Sequence, residues 1–131
     1  MKKVLFLATA LVFSVAVMAQ TKADDIAKFN TETHNLGKIK QGTPVTFYFE
    51  IKNISNKPIV VANATATCGC TVPEKPEQPI EPGASAKLKV IYNAAAVGTI
   101  TKDVYVTFAG VEQPKTLHIT GEVVANPEAK H

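Results

Sequence analysis

Arginine and tryptophan are absent from this 131-residue chain, methionine occurs only at Met1 and Met18, and cysteine only at Cys68 and Cys70. Each absence excludes something. Without arginine there is no planar fork to grip phosphate or carboxylate at two points. The lysines and acids are scattered and not gathered in blocks, so neither nucleic acid nor a membrane surface is an expected partner. Without tryptophan and without two distant cysteines, the packed indole and inter-sheet bridge of an antibody domain are missing, and aliphatic and Phe packing must hold the fold. No nucleophile motif, phosphate loop or metal-helix signature occurs, so the chain is not expected to be an enzyme. The glutamates Glu74, Glu77 and Glu81 alternate with prolines and Lys75 and read as a solvated loop, and the pair Asp24-Asp25 as solvated acids.

Long hydrophobic runs are lacking as well. The uncharged run Val4 to Met18 is shorter than the roughly 20 apolar residues of a membrane span, and nothing later approaches that length. Preceded by Lys2 and Lys3 and closed by the small residues of Val17-Met18-Ala19, it reads as a signal peptide over residues 1–19. The expected product is secreted, to the periplasm or the cell surface. It has no cysteine at its start for a lipid anchor and no membrane span. Loss of Lys2 and Lys3 takes the formal charge from +3 to about +1, and roughly 110 residues remain, enough for one domain with its own core. We divide them into an N-terminal segment (20–27), a β-domain (28–124) and a frayed tail (125–131).

What is present is apolar alternation with a period of two, the signature of strands with one buried face. Val45, Phe47, Phe49 and Ile51 alternate with Thr46, Tyr48, Glu50 and Lys52. Ala86, Leu88, Val90 and Tyr92 repeat the pattern, as do Ile100, Val104, Val106 and Phe108, where Lys102 breaks the stripe and is placed at an edge. Leu117, Ile119 and Val123 form the last stripe. Phe29 to Ile39 is read as one opening strand ending at Gly37, Pro58 to Thr67 as another strand, and Pro73 to Pro79 as a loop. Pro82-Gly83 predicts a type II turn. Short strands in this rhythm predict an all-β, immunoglobulin-like two-sheet sandwich of about seven strands.

The order Gly37-Lys38-Ile39, Gly42, Phe49-Glu50-Ile51-Lys52-Asn53, Pro58, Cys68-Gly69-Cys70-Thr71, Ile80-Glu81-Pro82-Gly83, Gly98 and Gly121 resembles the secreted bacterial Ig-like family catalogued as domain of unknown function 1573. The resemblance covers nearly all of the chain after the leader. It implies a small immunoglobulin-like sandwich related to domains of cilium- and centrosome-associated proteins, and it implies no function. Cys-Gly-Cys-Thr is a characteristic element of that family. Asn53-Ile54-Ser55 and Asn63-Ala64-Thr65 fit the glycosylation pattern, which a bacterial origin makes moot.

Cys68-Gly69-Cys70 is where unusual chemistry is to be sought. In an extended strand both thiols would share one face, with parallel Cβ vectors, and a bridge would require a bend that Gly69 could supply through positive φ. Bent, the pair closes a disulfide; extended, it offers two thiolates to Cu(I), Zn(II) or another thiol. Further ligands are scarce: both methionines lie in the leader, His34 and His118 fall on the first and last strands, and His131 is at the tail. Thioredoxin-like βαβ context and Cys-x-x-Cys spacing are also missing. A third reading makes the bridge a plain structural clip.

Tyr48 and Tyr105 lie on outer faces and are candidate contacts for a protein partner, whereas a shared sugar platform is not expected because their strands belong to different sheets. The primary expectation is a non-enzymatic binding or scaffolding module without a cofactor, whose open strand edges could accept a partner strand. The alternative is metal or thiol-redox handling at Cys68 and Cys70.

Overall fold

A computed structural model describes residues 21–125. The leader and residues 126–131 of the expected tail lie outside the described residues. A one-turn helix α1 (Ala23–Ile26) precedes β1 (Ala27–Phe29), β2 (Thr33–Lys40), β3 (Val45–Asn53), β4 (Val61–Ala66), β5 (Thr71–Glu74), β6 (Ser85–Tyr92), β7 (Gly98–Phe108) and β8 (Lys115–Val124). These make two four-stranded sheets, ordered β1-β3-β6-β5 and β2-β8-β7-β4. All pairs are antiparallel except β2 with β8. The all-β sandwich is therefore as expected, with eight strands in place of about seven.

Two strands go beyond the segments read from the sequence: β5, and the one gained where the segment read as one strand from Phe29 to Ile39 divides. Its first part belongs to the first sheet, where Asn30 closes β1: its amide donates to the Glu50 carbonyl (3.1 Å) and its Oδ1 accepts the Glu50 N–H (2.9 Å). Two residues later the Glu32 carbonyl accepts the His118 N–H (2.7 Å), and the chain has joined the second sheet. Nor does β2 stop at Gly37; a register shift between Asn35 and Lys38 carries it to Lys40. There the Gly37 carbonyl approaches Gly121 so closely that a Cβ on Gly121 would lie 2.8 Å from it, and Gly121 has φ +147°. Glycine is required at that crossing.

The core lies between the sheets. Phe49, Ile51, Leu88 and Val90 from the first meet Ile100, Val104, Val106, Phe108, Leu117, Ile119 and Val123 from the second, all buried. This is the alternation of the sequence made physical, each inward side chain removing apolar surface from water. The thin places are the outermost strands: β2 buries no side chain fully, and β5 buries only Thr71. The Pro82-Gly83 turn forms as read, with Gly83 at φ +78° and the Ala84 N–H donating to the Glu81 carbonyl (2.9 Å). Lys102 lies where β4, whose pairing with β7 begins at Val104, has left the flank of β7 open, so the break in the stripe does fall at a local edge.

Candidate functional site: the cysteine corner and the face beside it

β4 ends one sheet, β5 ends the other, and the chain passes between them through Thr67 to Cys70. Both ends of this corner are held. The Thr67 N–H donates to the Asp103 carbonyl on β7 (3.1 Å), and the Asn93 N–H, at the end of β6, donates to the Cys70 carbonyl (3.0 Å). Between them the Thr71 N–H donates to the Cys68 carbonyl (3.3 Å), closing a tight turn with Gly69 and Cys70 at its centre. In that turn Cys68 and Cys70 are joined as a disulfide with Cα atoms 5.3 Å apart, inside the usual range for a bridge. The bend does not come from positive φ at Gly69, which is outside the left-handed region; it comes from the switch between sheets. A Cβ on Gly69 would meet nothing within 4 Å.

The two sulfurs differ in setting. Both cysteines are half-buried, but Cys70 packs against the core and Cys68 does not belong to that cluster. The hydroxyl of Thr71, itself buried, stands 3.8 Å from the Cys68 Sγ and 3.7 Å from the Cys70 Sγ. Thr71 was legible only as the fourth residue of the motif; its contact with both sulfurs depends on the turn. While bridged, the pair offers no thiolate to Cu(I) or Zn(II). Among the described residues no three His, Cys, Asp or Glu side chains converge to hold a metal ion. His34 stacks on Phe47 (4.6 Å between centroids), and His118 Nδ1 is 2.7 Å from Asp103 Oδ1, so each histidine is engaged elsewhere.

The strand edges, expected to be open to a partner strand, are interrupted by local caps and by a proline. On β2 the Thr31 hydroxyl accepts the Thr33 N–H and donates to the Thr33 carbonyl, and Asn35 Oδ1 accepts the Gly37 N–H. On β4 the Ala64 N–H is taken by Asn63 Oδ1 (3.0 Å). β5 carries Pro73, and β1 has three residues. Pro73 belongs to this edge strand and not to a loop. The Cys70 carbonyl bonds toward β6, so residue 73, of opposite parity, turns its missing N–H away from the sheet, where proline is tolerated. Such caps and prolines are how natural sandwiches resist edge-to-edge pairing.

The outer face of the first sheet is different. Tyr48 (48 % exposed) and Val72 (49 % exposed) stand out on it. Across the strands Thr46 pairs with Ile91, Tyr48 with Lys89, and Val72 with Ile91. This sets Tyr48 diagonal to Ile91, at the roughly 7–8 Å reach of a diagonal pair. Tyr48, half-buried Ile91 and Val72 thus make an apolar patch over three strands. Charges surround it: the Lys87 ammonium lies 5.6 Å from the Tyr48 ring centroid, and Lys89 pairs with Glu74 (3.7 Å). Tyr105 is on the opposite sheet, half-buried between its cross-strand partners Thr65 and Thr116. The two tyrosines therefore cannot serve one ligand.

Residues 27–123 match the profile of a family described as protein of unknown function, DUF1573. No curated protein matches the chain. Among solved structures it is similar to a protein of unknown function from Porphyromonas gingivalis (TM-score 0.64, 17% identity), over 86% of this chain and 51% of that one, so it spans about half of that relative's length. It is also similar to the ASH/PapD-like domain 7 of human CEP192 (TM-score 0.61, 8% identity), over 77% of this chain and 87% of that one. The Vibrio cholerae VesB protease matches as well (TM-score 0.60, 15% identity), over 78% of this chain but 33% of its own. At these identities the likeness concerns the fold: an Ig-like, PapD-like sandwich.

Proposed function

The chain belongs to the DUF1573 family, whose function is unknown, and we propose that within it this protein is an exported, non-enzymatic module that binds a protein partner through the outer face of its first sheet. The observation that carries this reading is the patch made by exposed Tyr48 and Val72 with half-buried Ile91. An amphipathic ring beside aliphatic side chains, rimmed by Lys87, Lys89, Glu50 and Glu74, has the make-up of a protein contact: an apolar centre with a charged border. The capped edges turn the reading away from strand addition and toward this face. The leader sequence, Lys2 and Lys3 followed by Val4 to Met18, supports export to the periplasm or the cell surface. The similarity to VesB spans a third of that protein and supports no protease activity here.

The test is a photo-crosslinking residue placed at position 48 or position 105 of the full chain, expressed in its native envelope. A discrete protein adduct from position 48, lost when Val72→Asp is added and absent from position 105, is the expected result. Equal adducts from both positions, or none from 48 in a folded protein, would refute the assignment of this face.

A further inference from the structure

We propose that Cys68 and Cys70 are an exchangeable redox pair, which takes two electrons from a dithiol of a partner protein, with Cys68 the sulfur attacked and Thr71 the residue that holds the thiolate released. The inference does not rest on the binding face described above. Three observations carry it. The corner is tied by backbone hydrogen bonds to both sheets, the Thr67 N–H to the Asp103 carbonyl and the Asn93 N–H to the Cys70 carbonyl, so the turn has anchors besides the bridge. The turn is not enclosed: Gly69 is exposed with no residue beyond its chain neighbours within 4 Å of where its side chain would be, and Cys68 is only half-buried. The two sulfurs are not equivalent: Cys70 packs on the core, Cys68 does not, and a buried hydroxyl reaches both.

The chemistry follows from that asymmetry. A thiolate of the partner attacks Sγ of Cys68, forming a mixed disulfide as the Cys68–Cys70 bond breaks. Cys70 leaves as a thiolate. Its packing against apolar neighbours disfavours charge, and the Thr71 hydroxyl, 3.7 Å away, is placed to donate to it. The partner's second thiolate then attacks its own sulfur in the mixed disulfide and releases Cys68. The partner ends as a disulfide, this chain as a dithiol, and the two protons of the partner's thiols pass to Cys68 and Cys70. Thr71 reaches both sulfurs and exchanges no bond with either, so its part is positioning.

Reduced glutathione serves as the probe. With the chain lacking residues 1–19, the native bridge is expected to be reduced at least about tenfold faster than the same chain unfolded in urea, with the far-UV circular dichroism of the fold unchanged on reduction. Thr71→Val should slow reduction about tenfold, the loss of one hydrogen bond to a developing charge, while Thr71→Ser keeps the wild-type rate. In single variants probed with oxidised glutathione, whose second half leaves as the thiolate, Cys70→Ser should form the mixed disulfide at Cys68 readily, and Cys68→Ser should leave Cys70 at least about tenfold slower to react. A native bridge reduced no faster than the unfolded one, or a fold lost on reduction, would overturn the proposal. So would equal reactivity of the two single cysteines, a measurement independent of any effect of Thr71→Val on folding.

Discussion

Replacing Asn53 by alanine should cost this domain more stability than removing its disulfide. Asn53 is fully buried at the end of β3, and its amide uses its full hydrogen-bonding capacity. Nδ2 donates to the Lys57 and Ile80 carbonyls (2.7 Å each), and Oδ1 accepts from the Ser55 N–H (2.8 Å) and hydroxyl (2.7 Å). The partners on Ser55 and Lys57 sit near solvent and can turn to water, but the bond to Ile80 is buried. The Ile80 carbonyl keeps the Ile59 N–H (3.0 Å), so no buried acceptor is orphaned, and losing the four bonds at about 0.5–1.5 kcal/mol net each costs about 2–6 kcal/mol. The bridge closes a loop of only three residues, for which loop-closure entropy gives about 1.6 kcal/mol. Urea unfolding followed by circular dichroism, with unchanged m, compares Asn53→Ala with the double variant Cys68→Ser, Cys70→Ser. If the double variant loses more than Asn53→Ala, the bridge is a staple of the fold, and the case for an exchangeable pair loses its energetic ground.

Glycine positions separate in the same way: Gly121→Ala places a Cβ 2.8 Å from the Gly37 carbonyl and should cost at least about 2 kcal/mol, whereas Gly69→Ala enters open space and should stay within about 0.5 kcal/mol, both read by urea unfolding. A costly Gly69→Ala would contradict the turn described for the corner. Lys115 ties α1 and the link between β1 and β2 to β8 through Asp24 (2.6 Å) and Glu32. Burial opposes its charge, but the two carboxylates outweigh that and raise its pKa above 10.5. With the folded pKa raised, the stabilisation is complete below the unfolded value and is lost as pH rises through the folded one, so stability measured against pH should fall above about pH 10.5 and fall less in Lys115→Met.

How much of this could be read in the sequence depended on whether a residue's role follows from its own strand. β3 and β6 could be read because alternation puts Phe47, Phe49, Leu88 and Val90 inside and Tyr48 outside without reference to anything distant. The break between β1 and β2 could not, because one apolar rhythm serves both sheets and only the bonds of Asn30 and Glu32 to different partners divide it. Asn53 was readable and missed: it continues the inward parity of Phe47, Phe49 and Ile51, so a polar residue there had to find partners inside, which also removes it as a glycosylation acceptor. Val72 was hidden by its neighbours. A proline-spaced stretch reads as a loop, and only pairing with β6 makes Val72 an outward strand residue beside Ile91.

The binding face and the redox corner meet in β5. Thr71 turns inward to the two sulfurs, and Val72 turns outward to the patch. At about 3.3 Å per strand residue, Val72 lies about 7 Å along the chain from Cys70. At this flank the Asn63 cap on β4 and Pro73 on β5 interrupt the backbone, so an approaching macromolecule meets the Tyr48 patch and, around the β5 edge, the turn that carries the bridge. A partner seated on Val72 would therefore stand beside the turn that holds the Cys68–Cys70 bridge. That joins two otherwise independent proposals in one experiment. The protein crosslinked from position 48 and the protein trapped in its disulfide form by the free Cys68 thiolate of Cys70→Ser should be the same, and its trapped cysteine should have a second cysteine beside it, the thiolate that leaves. Two different proteins would keep the face and the corner as separate sites and would refute the shared surface.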